Sequence, residues 1–211
     1  VSKSKMFDVE DSLELFHRFS IFVPGRVIKM ESERDLDNGD EFGVSYSMSS
    51  IFLKNLAALE YINHDPITIV LNTSGGDVVQ GLAIYDAIRN SPCEITIKVY
   101  GAVYSMGSIL LQAGDRRLMS PNAALMFHDG SSSAEGNSYE TVNSALHNQA
   151  LGQKCSTILL ARINEKREKD NNAHMARHSF DIQDLKSKWM FAEQAVELGL
   201  ADAIDTSPIG G

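Results

Sequence analysis

Residues 67–88, ITIVLNTSGGDVVQGLAIYDAI, decide the fold class. Ile67–Leu71 is a short apolar, β-branched run of the kind buried in a parallel sheet. Asn72–Asp77 turns it into a helix marked by Val78, Leu82, Tyr85 and Ile88 at helical spacing. The pattern then repeats. Glu94–Tyr100 (EITIKVY) reads as a second strand, Gly101–Tyr104 as a turn, and Ser105 to about Ala113 as an apolar helix. Strand–helix–strand–helix with short connections predicts an α/β fold with right-handed crossovers.

Working outward, the alternation in Phe19–Met30 predicts strand material broken by Pro24-Gly25. The polar stretch Glu31–Gly43 reads as an exposed loop or insertion, and Phe52, Leu56 and Leu59 mark a helix that Ser47 or Ser49 would cap. Strands are expected around Leu118 and over Ala124–Phe127. Tyr139 to about Lys169 contains no Pro and one Gly, Gly152, so it predicts a helix too long for a compact body, one that projects from it. Ala192–Leu198 is a short helix with Gly199 as its C′ residue, and Ala203–Asp205 a final strand. The organisation is an N-terminal segment (1–18), one domain (19–205) and a tail (206–211).

An apolar fraction of 43% supplies an ordinary core, while a net charge of −9 argues against a broad nucleic-acid-binding face. The basic run Arg162–Lys169 alternates with Glu165 and Glu168 and reads as a solvated helix face. No stretch approaches the roughly 18 apolar residues that span a bilayer. The start, Val1-Ser-Lys-Ser-Lys, leads into polar, acidic sequence rather than an apolar signal core, and Cys93 and Cys155 stand apart as reduced thiols. A cytoplasmic location is expected, with neither nucleic acid nor membrane as partner.

Sites in such sheets lie where strands hand over to helices. Two handovers are unusual here. Ser74-Gly75-Gly76 leaves backbone amides unobstructed, although a tight turn explains the same residues. Ser105 opens an apolar helix whose amides can bind an oxyanion, although a plain helix cap explains it too. Val103 occupies the first Gly position of a Gly-x-Ser-x-Gly elbow, which disfavours the common α/β-hydrolase reading. Of the six histidines, His17, His64, His147, His174 and His178 sit in polar or helical contexts. His128 ends the apolar run Ala123–Phe127 and is either a core histidine or the base that a serine nucleophile requires.

Across residues 20–205 the motifs resemble those of the Clp protease proteolytic subunit (ClpP) family, including its phage relatives. Asn72-Thr-Ser-Gly-Gly76 resembles the family's Asn-Ser-Pro-Gly-Gly, and Gly81-Leu-Ala-Ile-Tyr-Asp86 its following helix. Tyr104-Ser-Met-Gly-Ser108 is similar to its nucleophile segment, and Ala113-Gly114, Pro121-Asn122 and Met126-Phe-His128 follow in family order. Ala192–Asp202 (AEQAVELGLAD) resembles the C-terminal signature.

This resemblance implies a ClpP/crotonase-like α/β fold, with a head of ββα units and a long-helix handle. It implies a serine endopeptidase with Ser105 as nucleophile, His128 as base, and the Gly76 and Met106 amides as oxyanion hole. Asp129–Gly136 matches the region that pairs an extended peptide substrate. Polypeptide substrates, heptameric rings stacked handle to handle, an AAA+ Clp ATPase partner and no cofactor are expected. A phage capsid-maturation protease of this fold, or a weakly active or non-catalytic ring subunit, are the alternatives.

The sequence departs from the family at the third triad position. Counting back from the C-terminal helix, the family's Asp falls on Ser187, two residues before Trp189. Asp184 and Asp181 lie nearby. The orienting group is thus open between Asp184, Ser187 or a backbone carbonyl, and an arrangement completed by a conformational change. Ser74 stands in place of the family's Pro, and Ser131–Ser133 where Gly-Gly is frequent.

Overall fold

The computed structural model describes residues 9–34, 41–130, 136–169 and 187–208. The elements run α1 (Val9–Phe19), β1 (Ile21–Phe22), β2 (Val27–Glu31), β3 (Glu33–Arg34), β4 (Glu41–Phe42), α2 (Tyr46–Ile62), β5 (Ile67–Thr73) and α3 (Val78–Arg89). They continue with β6 (Ile95–Tyr104), α4 (Met106–Leu111), β7 (Arg116–Met119), β8 (Ala124–Phe127), α5 (Ser138–Lys169), β9 (Lys188–Phe191), α6 (Ala192–Leu198) and β10 (Ala203–Ile204). The main sheet has the order β1-β2-β5-β6-β7-β10, with β8 pairing both β6 and β9. β2, β5, β6, β7 and β10 are mutually parallel, as the β-branched runs predict. Ile67, Ile69, Leu71, Ile95, Ile97 and Val99 are fully buried and join Phe52, Leu59, Ile84 and Ile88 of α2 and α3 in one core.

β6 is longer than expected, because Gly101 to Tyr104 continue the strand rather than forming a turn. The strand is bent instead. Its pairing with β5 steps from Leu71↔Val99 to Thr73↔Val103, so two extra residues of β6 are accommodated between these pairs. Gly101 sits in the bend at φ 81°, and the Ala102 amide donates to Asn72 Oδ1 at 3.0 Å. Before the bend β6 pairs with β7; after it, Ala102–Tyr104 pair with Ala124–Met126 of β8. The bend therefore carries the end of β6, and Ser105 with it, from one neighbour to the other.

Several expectations are corrected. Residues 9–18 of the N-terminal segment are helical, since Ser12, Leu15 and Phe16 share one face and Phe16 meets Phe22 edge-on at 6.1 Å. The cap of α2 is Ser45, not Ser47 or Ser49; its side chain accepts from the Met48 amide at 3.2 Å. The ends of the insertion pair as β3 and β4 rather than looping freely, while residues 35–40 lie outside those described. β9 has no counterpart in the sequence reading, because its four residues alternate only once and gain strand structure from pairing with β8.

α5 has 32 residues, about 48 Å at 1.5 Å per residue, and anchors by its second half only. Cys155, Leu159 and Ile163 are buried, and Arg162 donates to the carbonyls of Gln112 and Gly114. Arg162 is thus a fastening rather than a solvated charge. Burial pushes the Cys155 thiol up, with a smaller opposing pull from a backbone hydrogen bond, so it is no competing nucleophile. Among the described residues no helix is long and apolar enough to cross a membrane.

The C-terminal signature closes on the sheet through Arg117, whose side chain is only 8% exposed. Its guanidinium grips Asp202 (2.6 and 3.2 Å), Gln112 Oε1 (2.7 Å) and the Gly199 carbonyl (2.9 Å). Partial burial pushes the Asp202 carboxyl up, but the hydrogen bonds and charge of Arg117 outweigh it and hold the carboxyl below its usual range. A depressed folded-state pKa stabilises the fold above the unfolded carboxylate's range and loses that contribution as pH falls through the lower folded value. Arg117→Met should cost about 3 kcal/mol in denaturant unfolding at pH 7, because Gln112, Gly199 and Asp202 lose their donor. The difference from the parent protein should shrink when unfolding is repeated at pH 3.

Candidate active site

Ser105 joins β6 to α4 with φ 52° and ψ −120°, a left-handed conformation that costs a non-glycine residue roughly 1–3 kcal/mol. The surroundings hold it there. Its amide donates to the Met126 carbonyl at 2.8 Å, and its carbonyl accepts from the Ser108 amide (3.0 Å) and hydroxyl (2.7 Å). Its own side chain makes no capping hydrogen bond. A helix cap therefore does not account for Ser105. The chain builds a sharp, strained strand-to-helix turn without the glycine pattern that usually marks one.

The bond from Ser105 to Met126 also fixes His128. Tyr104 pairs with Met126, so the residue ending β8 and the one following it lie beside the turn after β6. His128 is half-buried there, not a core residue. Among the described residues no hydrogen bond joins Ser105 Oγ to the His128 ring. The two are brought to adjacent strand ends.

The Ser74-Gly75-Gly76 turn lies against the same spot. A Cβ on Gly75 would come within 2.6 Å of Ser105 Cβ and 2.7 Å of the Tyr104 carbonyl oxygen, and Gly75 has φ 100°. Gly76 is held by Val44 in a parallel bridge. The Val44 amide donates to Gly75 O at 2.6 Å and the Asp77 amide to Val44 O at 2.8 Å, which uses both polar groups of Val44 and leaves those of Gly76 directed away from it. Neither the Gly76 nor the Met106 amide donates to a protein group among the described residues. The Met106 side chain is buried against Gly81 of α3, so its backbone is what it presents to the site.

Val44 and Ser32 escaped the sequence reading. Ser32 bonds Thr73 Oγ1 at 3.0 Å and Ser74 Oγ at 3.3 Å, so the two legs of the insertion clamp the turn where Pro stands in the family. No local pattern announces a contact between residue 32 or 44 and a turn some thirty to forty residues away. Asp181, Asp184 and Ser131–Ser133 lie outside the described residues. Ser187 is described: it precedes β9, has φ 60°, and its amide donates to the Phe127 carbonyl at 2.7 Å.

The sequence model of the family described as Clp protease matches residues 27–208, most of the chain and all of the site. The chain belongs to the Clp protease family. This membership makes it a peptidase in general, generally of serine type, in a family that forms oligomeric rings. The mostly parallel sheet, the six helices among the described residues and the long α5 fit the expected head and handle.

Proposed function

We propose that the chain is a serine endopeptidase subunit with Ser105 as nucleophile and His128 as general base. The strained Ser105, uncapped and bonded through its amide to the strand that carries His128, is the observation that supports this reading most directly. Ser105 Oγ attacks the peptide carbonyl while His128 takes the hydroxyl proton and then delivers it to the leaving amine. The tetrahedral oxyanion is received by the Gly76 and Met106 amides; one such donor contributes about 2.7–4 kcal/mol to the transition state. Water, deprotonated by His128, then attacks the acyl-enzyme, releasing the acid product and regenerating Ser105.

A non-catalytic ring subunit would have no use for the strain at Ser105, and this disfavours that alternative. The substrates are unfolded polypeptides, admitted to a chamber made by stacked heptameric rings in the cytoplasm and supplied by an AAA+ Clp ATPase. The handle supports assembly. Tyr139 (77% exposed), Val142 (58%) and Leu146 (58%) recur at i, i+3 and i+7 on the unanchored half of α5. Val142→Glu with Leu146→Glu should weaken ring stacking at least tenfold in sedimentation velocity, without altering the subunit's circular dichroism, because both side chains are exposed in the isolated chain.

Labelling with a fluorophosphonate followed by peptide mass spectrometry tests the mechanism. Modification confined to Ser105 is expected; modification elsewhere, or none in the assembled protein, refutes it. Copurification of a Clp-type ATPase supports the degradative role, and cleavage of a capsid scaffold protein without any ATPase supports the phage alternative.

A further inference from the structure

We propose that the Ser187 hydroxyl is the positioning group for His128, an inference that rests on the assignment of Ser105 and His128 above. β8 and β9 are antiparallel, with Phe127 opposite Lys188, so an unbroken register would set Ser187 opposite His128. The ladder changes at that step. The Ser187 amide bonds the Phe127 carbonyl at 2.7 Å, so Ser187 and Lys188 both lie against Phe127, and Ser187 is left-handed. Two residues against one, the first left-handed, is a β-bulge, a device that ends pairing and re-aims a side chain beside active sites.

Two consequences follow. Among the described residues pairing ends at Phe127, one residue before His128, so the His128 backbone lies outside the ladder. Ser187 donates its amide to the carbonyl of the planar peptide group that connects Phe127 to His128, which ties it to the step leading into His128. Glycine would take the same backbone conformation without strain, so the hydroxyl is carried there at a conformational cost. Among the described residues the left-handed non-glycine positions are Ser20, Arg26, Ser105 and Ser187, and the last two adjoin the ends of the strands that flank β8.

Ser187 is exposed, and among the described residues neither its hydroxyl nor the His128 ring makes a hydrogen bond; in the proposed arrangement the hydroxyl accepts one from the ring N–H distal to Ser105. That fixes the tautomer whose other nitrogen carries the lone pair for the Ser105 proton; the distal proton stays on the ring throughout. Being neutral, the hydroxyl orients the ring without stabilising the imidazolium as a carboxylate does. This enzyme is therefore set below the rate its nucleophile and oxyanion hole permit.

Kinetics of a fluorogenic peptide with Ser187→Gly and Ser187→Asp test the assignment. Glycine removes the hydroxyl while favouring the backbone, so Tm should hold or rise while kcat falls about tenfold with KM within twofold. Aspartate tolerates the left-handed region; it should raise kcat about tenfold and move the acidic limb of kcat/KM up by about one pH unit, through a carboxylate beside the base. The neighbouring charged residues, Asp129 and Lys188, are common to all variants and cancel in the comparison. Unchanged kcat in Ser187→Gly, or an unmoved acidic limb in Ser187→Asp, overturns the proposal. Fluorophosphonate labelling separates the two levels: Ser105 still labelled with silent Ser187 variants refutes only the positioning role, whereas an unlabelled parent protein refutes the nucleophile and this proposal together.

Discussion

Ser105→Ala should abolish peptide hydrolysis, by a factor on the order of 10⁴ or more, with little change in stability. Both parts come from the same geometry. The Ser105 side chain makes no capping bond, and its backbone amide and carbonyl bonds to Met126 and Ser108 are kept by alanine. Removing the hydroxyl therefore removes the proposed nucleophile and costs the fold almost nothing, so unfolding free energy should stay within about 0.5 kcal/mol of the parent. Ser105→Gly sharpens the test. It should be equally inactive but more stable by about 1 kcal/mol, since glycine takes φ 52° without the steric cost that serine bears. A Ser105→Ala protein that still hydrolyses peptide after rigorous purification, or one that fails to fold, contradicts this account.

Gly75→Ala should have the second largest effect, and on both properties at once. The added methyl meets Ser105 Cβ at 2.6 Å, the Tyr104 carbonyl at 2.7 Å and the Met106 nitrogen at 3.1 Å, at a residue whose φ of 100° L side chains rarely adopt. These neighbours are backbone atoms and a Cβ of the strand end and turn, with no flexible side chain to yield. The turn must separate from Ser105, and displacement of a reacting group by about 1 Å costs roughly 10²-fold in rate. We expect kcat to fall at least a hundredfold, and stability by about 2–3 kcal/mol from backbone strain and lost packing. Gly152→Ala serves as control: nothing lies within 4 Å of a Cβ there, and activity should be unchanged. Its helix should gain up to about 1 kcal/mol. Comparable kcat in Gly75→Ala and Gly152→Ala would show that the turn does not abut the nucleophile.

The sequence alone determined the order and type of the central elements, because burial imposes periods that survive in a linear string. ITIVL and EITIKVY are short runs whose length and β-branched residues mark buried strands, and 139–169 lacks any breaker strong enough to stop a helix. It also supplied Ser105, His128, Gly76 and Met106 as candidates, since their motifs are local. What it did not contain was register. That β6 runs through Gly101 and changes partner from β7 to β8 depends on Asn72 accepting the Ala102 amide, a bond formed only when two strands meet. The insertion read as a loop because its polar residues show no period, yet Ser32 and Val44 clamp the Ser74-Gly75-Gly76 turn through hydroxyl and backbone bonds that any sequence pattern leaves silent.

Ser187 shows the division most clearly. Its motif position marked where a carboxylate was missing, but its left-handed backbone and its bond to Phe127 arise from the mismatch of two strands distant in sequence. Side-chain periodicity is a local consequence of burial and is written along the chain. The pairing that brings Ser105, His128 and Ser187 to neighbouring strand ends is a long-range property, and only the tertiary structure decided it.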